Sequence, residues 1–178
     1  FYKISKYTIK LLENFETDYW NKDYWYHVLA LGYGRLGKNL ERMEQPEAFA
    51  GAEYYYDQAI RIREKKVTEF SGVFQVTELA IAYMEKGDWL KTKGDENSRN
   101  EALAMYEHAR KLMRIVLESD KAENYERNYA LLCNRIGYMY EIQESQEAIL
   151  KALDFYREGE EILRRLTLTY DSRKNSLE

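Results

Sequence analysis

Apolar residues along this chain recur at helical spacing, and the whole arrangement then recurs. From residue 21 to 42, Trp25, Leu29, Tyr33, Leu36 and Leu40 step by four, four, three and four, which places them on one face of an α-helix, helix A. A second stripe, Ala52, Tyr55, Tyr56, Ala59 and Ile62, marks a helix B. Fifty residues on, Leu29, Ala30, Leu31, Tyr33, Gly37 and Leu40 return as Leu79, Ala80, Ile81, Tyr83, Gly87 and Leu90, and again as Tyr129, Ala130, Leu131, Cys133, Gly137 and Tyr140. Ala52, Tyr56, Ala59 and Ile62 likewise return as Ala102, Tyr106, Ala109 and Leu112, then as Ala152, Tyr156, Gly159 and Ile162. The pattern predicts three helix pairs, 21–68, 71–118 and 120–169. A pair with one apolar stripe per helix cannot bury both faces alone, so neighbouring pairs must stack.

Residues 1–17 carry Tyr2, Ile9 and Leu12 at the register of Ala52, Ala59 and Ile62, and read as the second half of a truncated repeat. The expected fold is an all-α solenoid of about seven helices, one array over residues 1–170, followed by a polar, frayed tail over 171–178. An aromatic cluster, Tyr19, Trp20, Tyr24, Trp25 and Tyr26, is expected to pack between the half repeat and the first full one. Helix starts are expected at Asn21, at Pro46 in a first turn, at Ser71, at a Ser98–Glu101 capping box, at Asp120 and at Ser145. Gly32, Gly34 and Gly37 spell G-x-G-x-x-G, but inside a helix rather than after a strand. They read as close-packing sites, not as a dinucleotide loop.

Composition narrows the function. With 45% hydrophobic and 33% charged residues, one proline and seventeen tyrosines, the chain suits long packed helices. Net charge is −4, with both signs interspersed and no concentrated basic block, so nucleic acid is not an expected partner. No apolar run approaches the ~20 residues of a membrane span, and the amino terminus lacks a signal-peptide pattern. Cys133 stands alone, which excludes an intrachain disulfide and fits a reducing, cytoplasmic setting. The chain opens at Phe1 and ends in Leu177-Glu178, a pair that often precedes a purification tag, and reads as a segment of a longer protein.

Catalytic, cofactor and metal motifs do not emerge. There is no phosphate-binding G-x-x-x-x-G-K-[ST], no H-E-x-x-H and no calcium loop. His27 and His108 lie on different repeats and different helix types, and are read as surface or boundary residues. Cys133 takes a core-facing position of helix A, where cysteine behaves as a small hydrophobe. The chain is expected not to be an enzyme.

The recurring residues resemble the tetratricopeptide repeat, whose helix A carries a tryptophan, then L-G, then a tyrosine, and whose helix B carries A-x-x-x-F with a further alanine. The matches are Tyr33, Leu36-Gly37 and Leu40 with Ala52, Tyr56 and Ala59; Tyr83, Lys86-Gly87 and Leu90 with Ala102, Tyr106 and Ala109; and Cys133, Ile136-Gly137 and Tyr140 with Ala152, Tyr156 and Gly159. The period of fifty exceeds the family's about 34, and the closing proline is absent, which resembles the extended form of bacterial signalling and regulatory proteins. The resemblance implies a right-handed superhelix whose A helices line a concave groove for a protein or peptide. Carried over position by position, that groove comprises Leu31, Gly34, Lys38, Glu41 and Arg42; Ile81, Met84, Asp88 and Lys91; and Leu131, Asn134, Tyr138, Glu141 and Ile142. The basic clamp that some relatives use for a carboxyl terminus is not reproduced, since Gly34, Met84 and Asp88 occupy its polar or basic positions. The expected function is a binding scaffold. The alternatives are a sensor or regulatory segment of a signalling ATPase or transcription regulator, and homo-oligomerisation through an open amino-terminal end.

Overall fold

The computed structural model describes residues 2–14, 21–43 and 46–175. Among them the chain forms seven α-helices and no strand: α1 Tyr2–Glu13, α2 Lys22–Glu41, α3 Pro46–Glu69, α4 Val73–Lys93, α5 Glu96–Ser119, α6 Glu123–Glu141 and α7 Gln146–Asn175. Each helix packs on the next, and α2 also touches α4. The pairs are antiparallel: Tyr26 near the start of α2 donates to Glu69 at the end of α3, while Leu40 near the end of α2 meets Gly51 early in α3. This is an all-α solenoid, with α2, α4 and α6 as helix A and α3, α5 and α7 as helix B.

The repeated small residues set the spacing within each pair. A β-carbon on Gly37, Gly87 or Gly137 would lie 3.2, 2.6 or 2.8 Å from the ring of Tyr56, Tyr106 or Tyr156 respectively. Each helix B tyrosine therefore lies flat over the glycine of its helix A, and its hydroxyl reaches a carboxylate beyond: Glu41 (2.8 Å), Asp88 (2.8 Å) and Glu141 (2.6 Å). In repeat two Lys91 stands where Glu41 and Glu141 stand in the others, so Tyr106 turns to Asp88 one turn earlier. Gly32 is close-packed, since a β-carbon there would lie 3.1 Å from the Ile9 side chain, but Gly34 is not, since one there would meet the Glu85 carboxylate at an ordinary 3.6 Å.

Several boundaries depart from the sequence expectation. α4 is entered from Gly72 with no side-chain cap, because the Gly72 N–H is turned back onto Phe70 O and Ser71 falls outside the helix. Gly94 adopts φ +77°, a left-handed conformation that favours glycine, and delivers Asp95 as the cap of α5. The Asp95 carboxylate accepts from Ser98 N (2.9 Å) and Ser98 Oγ (2.6 Å), so Ser98 is an interior partner of the cap and does not form a box with Glu101. Asp120 closes α5 rather than opening α6, its carboxylate accepting from Ala122 N, the residue that precedes α6. Asn21 and Ser145 do cap their helices. α7 runs on to Asn175, so 171–175 are helical where a frayed tail was expected.

At the amino-terminal end Ile9 is buried with Tyr26, Leu29, Ala30 and Tyr33 of α2, and Tyr33 donates to Glu13. The expected open apolar stripe is thus covered at Ile9; the side chains of Tyr2 and Leu12, like Tyr19 and Trp20 of the aromatic cluster, lie outside the described residues. Within that cluster Tyr26 is buried, Trp25 packs against the same core and Tyr24 is exposed.

Candidate functional site

The A helices present one continuous face, along which neighbouring repeats touch. Its central feature is a charge ladder at a single register. Arg35, Glu85 and Arg135 succeed one another at fifty-residue spacing, flanked by Lys38, Asp88 and Tyr138. Arg135 holds Asp88 with both arms of its fork, Nε at 2.9 Å and Nη2 at 3.0 Å, which ties α6 to α4. Lys91 lies over the Tyr138 ring, 5.4 Å from its centroid. Glu85 sits between α2 and α4, where burial pushes its carboxyl up against the opposing pull of Arg63 and Lys38. Arg63 reaches this region from α3, almost fully buried, with Nη1 3.5 Å from Ala30 O and Nε without a hydrogen-bond partner among the described residues.

The residues proposed for the groove divide by exposure. Lys38, Arg42, Leu131 and Tyr138 are exposed, and Leu31, Ile81, Asp88, Asn134 and Ile142 are half-buried. Met84 is not a groove residue: it is 7% exposed and belongs to the core with Trp89 and Tyr106. The middle pair has neighbours on both sides, so a position that would border solvent at an end is closed over here. Asp88 is not a free groove carboxylate either, since Tyr106 and Arg135 both donate to it. On the third repeat Leu131 is 42% and Tyr138 45% exposed.

Nearer the start of α2 and α4, and linked to the ladder through Arg63, which feels both Glu78 and Glu85, a second polar cluster is buried at the α2–α3–α4 junction. Lys66 is 1% exposed, donates to Glu78 at 2.7 Å, lies 3.4 Å from Asp23 and sits over the Phe74 ring; His27 also contacts Glu78. In register Lys66 corresponds to Val116 and Leu166, so the substitution of a cation into an apolar stripe was readable, although its partners were not. His108 is exposed and stacks on Tyr83 at 5.3 Å. Cys133 is fully buried, and its thiol is pushed up to about 12 by that burial, which leaves a protonated and unreactive group.

The molecule these observations define is a helical repeat solenoid with a charged inter-repeat ladder on its A face. Solved structures of similar fold include the de novo designed helical repeat protein DHR64 (TM-score 0.56, 19% identity, covering 96% of this chain and 81% of that one). The DHF58 filament is similar too (TM-score 0.56, 18% identity, 81% and 71% covered), as is the DHF79 filament (TM-score 0.55, 13% identity, 83% and 79% covered). At these identities the likeness concerns the fold alone. No family model and no curated protein matches the sequence. Among the described residues no helix is long and apolar enough to cross a membrane.

Proposed function

We propose that this chain is a non-catalytic scaffold of the tetratricopeptide-repeat type, which holds a segment of a partner protein on the face of its A helices. The reading rests on one observation: Leu131 and Tyr138, two turns apart on α6, stay exposed beside the half-buried Ile142, whereas the equivalent Leu31 and Ile81 of the earlier repeats are half-buried. Exposed apolar residues grouped on one helical face mark interaction surfaces. Lys91, over Tyr138, and the exposed Lys38 and Arg42 add cationic groups along the same face. The Asp88–Arg135 pair links α4 to α6 along this face.

A peptide array probed with the purified chain tests the reading, with each hit re-measured against Leu131→Ala and Tyr138→Ala. Truncation of a central contact is expected to weaken binding by more than about 1 kcal/mol. Peptides that bind both variants as well as the parent would place the site elsewhere.

A further inference from the structure

The junctions between neighbouring repeats are not filled alike. At the first, Trp89 of α4 is fully buried, Phe49 of α3 packs on it with ring centroids 5.5 Å apart, and Lys93 Nζ lies 4.0 Å from the Trp89 ring centroid. Fifty residues on, Met139 stands for Trp89, Arg99 for Phe49 and Gln143 for Lys93, so both rings are gone. Arg99 turns back on the start of its own helix, donating through Nε at 3.0 Å and Nη2 at 2.7 Å to Gly94 O, and Gln143 donates to Met139 O at 3.2 Å. The second junction is left with an open cavity of about 510 Å³, walled by α5, α6 and the turn before α7. That size is within the range of small-ligand sites. Buried Met139 and half-buried Ile142 give it an apolar floor, and Glu96 and Asn100 stand exposed at its rim.

We propose that this cavity seats one aromatic side chain of a partner protein, tryptophan above all, where Phe49 and Trp89 fill the first junction. The rings of that first junction come from α3 and α4 themselves, so the open space at the second follows from its side chains and not from the want of a further helix. The thioether of Met139 offers a polarizable surface to a ring face. Arg99 also lines the cavity and places a cation beside the ring, as Lys93 does for Trp89. Glu96 and Asn100 supply acceptors at the rim for an indole N–H, which needs a partner once it leaves water. Ile142 borders both this cavity and the A face, so the proposal rests on the reading of the chain as a scaffold for a partner segment, and adds the residue type by which that segment is anchored.

The test uses the full chain and two probes. N-acetyl-tryptophanamide, a single uncharged side chain, is titrated to about 20 mM while methyl resonances are followed by NMR. Met139 and Ile142 are expected to shift saturably, and the double variant Arg99→Phe, Met139→Trp, which rebuilds the first junction, should abolish the shift at Ile142. Peptides captured on the array are then measured again: alanine in place of their aromatic residue, or the double variant of the chain, should each raise the Kd about tenfold or more. If the double variant does not fold, Asn100→Trp, which plugs the cavity from its exposed rim, takes its place. Peptides that weaken with Tyr138→Ala but ignore the cavity variants overturn this proposal and leave the groove reading standing. Peptides that weaken with the cavity variants but ignore Leu131→Ala and Tyr138→Ala support it and end the groove reading. No methyl shift overturns it, and so does a shift without any captured peptide, which assigns the cavity to a free aromatic molecule instead.

Discussion

The ring of Tyr106 fills the space that a side chain on Gly87 would need: a β-carbon there would sit 2.6 Å from Cε1, and Tyr106 is fully buried. The tyrosine has no room to retreat, because its hydroxyl is also tied to Asp88. Gly87→Leu is expected to destabilise the fold by about 1 to 3 kcal/mol through overpacking. Gly37→Ala, where the ring is 3.2 Å away, should be much milder and be offset by the about 1 kcal/mol that alanine gains over glycine inside a helix. Chemical denaturation of both variants checks the order, and equal effects would contradict it.

The buried Lys66–Glu78 pair should be costly to break from one side. Lys66→Met leaves the Glu78 carboxylate buried with His27 in contact and Arg63 further off, and a loss of roughly 3 to 5 kcal/mol is expected. Adding Glu78→Leu should recover most of that loss, since a well-packed apolar pair can replace a buried ion pair. A double variant no more stable than the single one would show that the charges contribute net stability.

Stability should fall at alkaline pH. Burial and the donated bonds to Glu41 and Asp88 raise Tyr56 and Tyr106, and Tyr129 and Tyr156 are each pushed up to about 12. In the unfolded chain a tyrosine releases its proton near pH ~10. Above that point the unfolded state binds fewer protons than the native one, so unfolding becomes easier as pH rises. Melting temperature measured from about pH 9 to about pH 11 should therefore decline, and less steeply in Tyr106→Phe. A flat profile would contradict the burial of these hydroxyls.

Cys133 should resist thiol reagents in the native state, because its thiol stays protonated and closed in by Tyr129, Leu132 and Ile136 in the core. Labelling with an aromatic disulfide at pH ~8, near the pKa of a free thiol, should follow global unfolding across a denaturant series. Rapid labelling without denaturant would mean that α6 opens locally.

Substitutions along the A face should separate packing from surface. Lys38→Ala and Arg42→Ala, both exposed, should stay within about 0.5 kcal/mol of the parent. Met84→Ala should cost roughly 2 to 5 kcal/mol, because the residue is closed into the core beside Trp89. Thermal melts distinguish the two classes directly, and a mild Met84→Ala would restore that residue to the groove.

Much of this architecture was legible in the residue order. The fifty-residue period, the apolar stripes from Trp25 to Leu40 and from Ala52 to Ile62, and the pairing of a glycine in helix A with a tyrosine in helix B were enough to specify seven packed helices. These are properties of a helix relative to its own axis, and a 3.6-residue repeat reports them directly. Caps were less legible, because Asp95 and Ser98 are both good capping residues. Which one begins α5 follows from where Gly94 turns the chain.

What only the packed molecule decided is which flank of each stripe meets a neighbour. Met84 and Asp88 share the helical phase of Gly34 and Lys38 or of Asn134 and Tyr138, yet one is buried and the other is held by Tyr106 and Arg135. Lys66 sits in the register of Val116 and Leu166, and it can be buried as a cation only because Glu78, from another helix, arrives to meet it. Periodicity states which way a side chain points; the distance and chemistry of the next helix determine what it meets there.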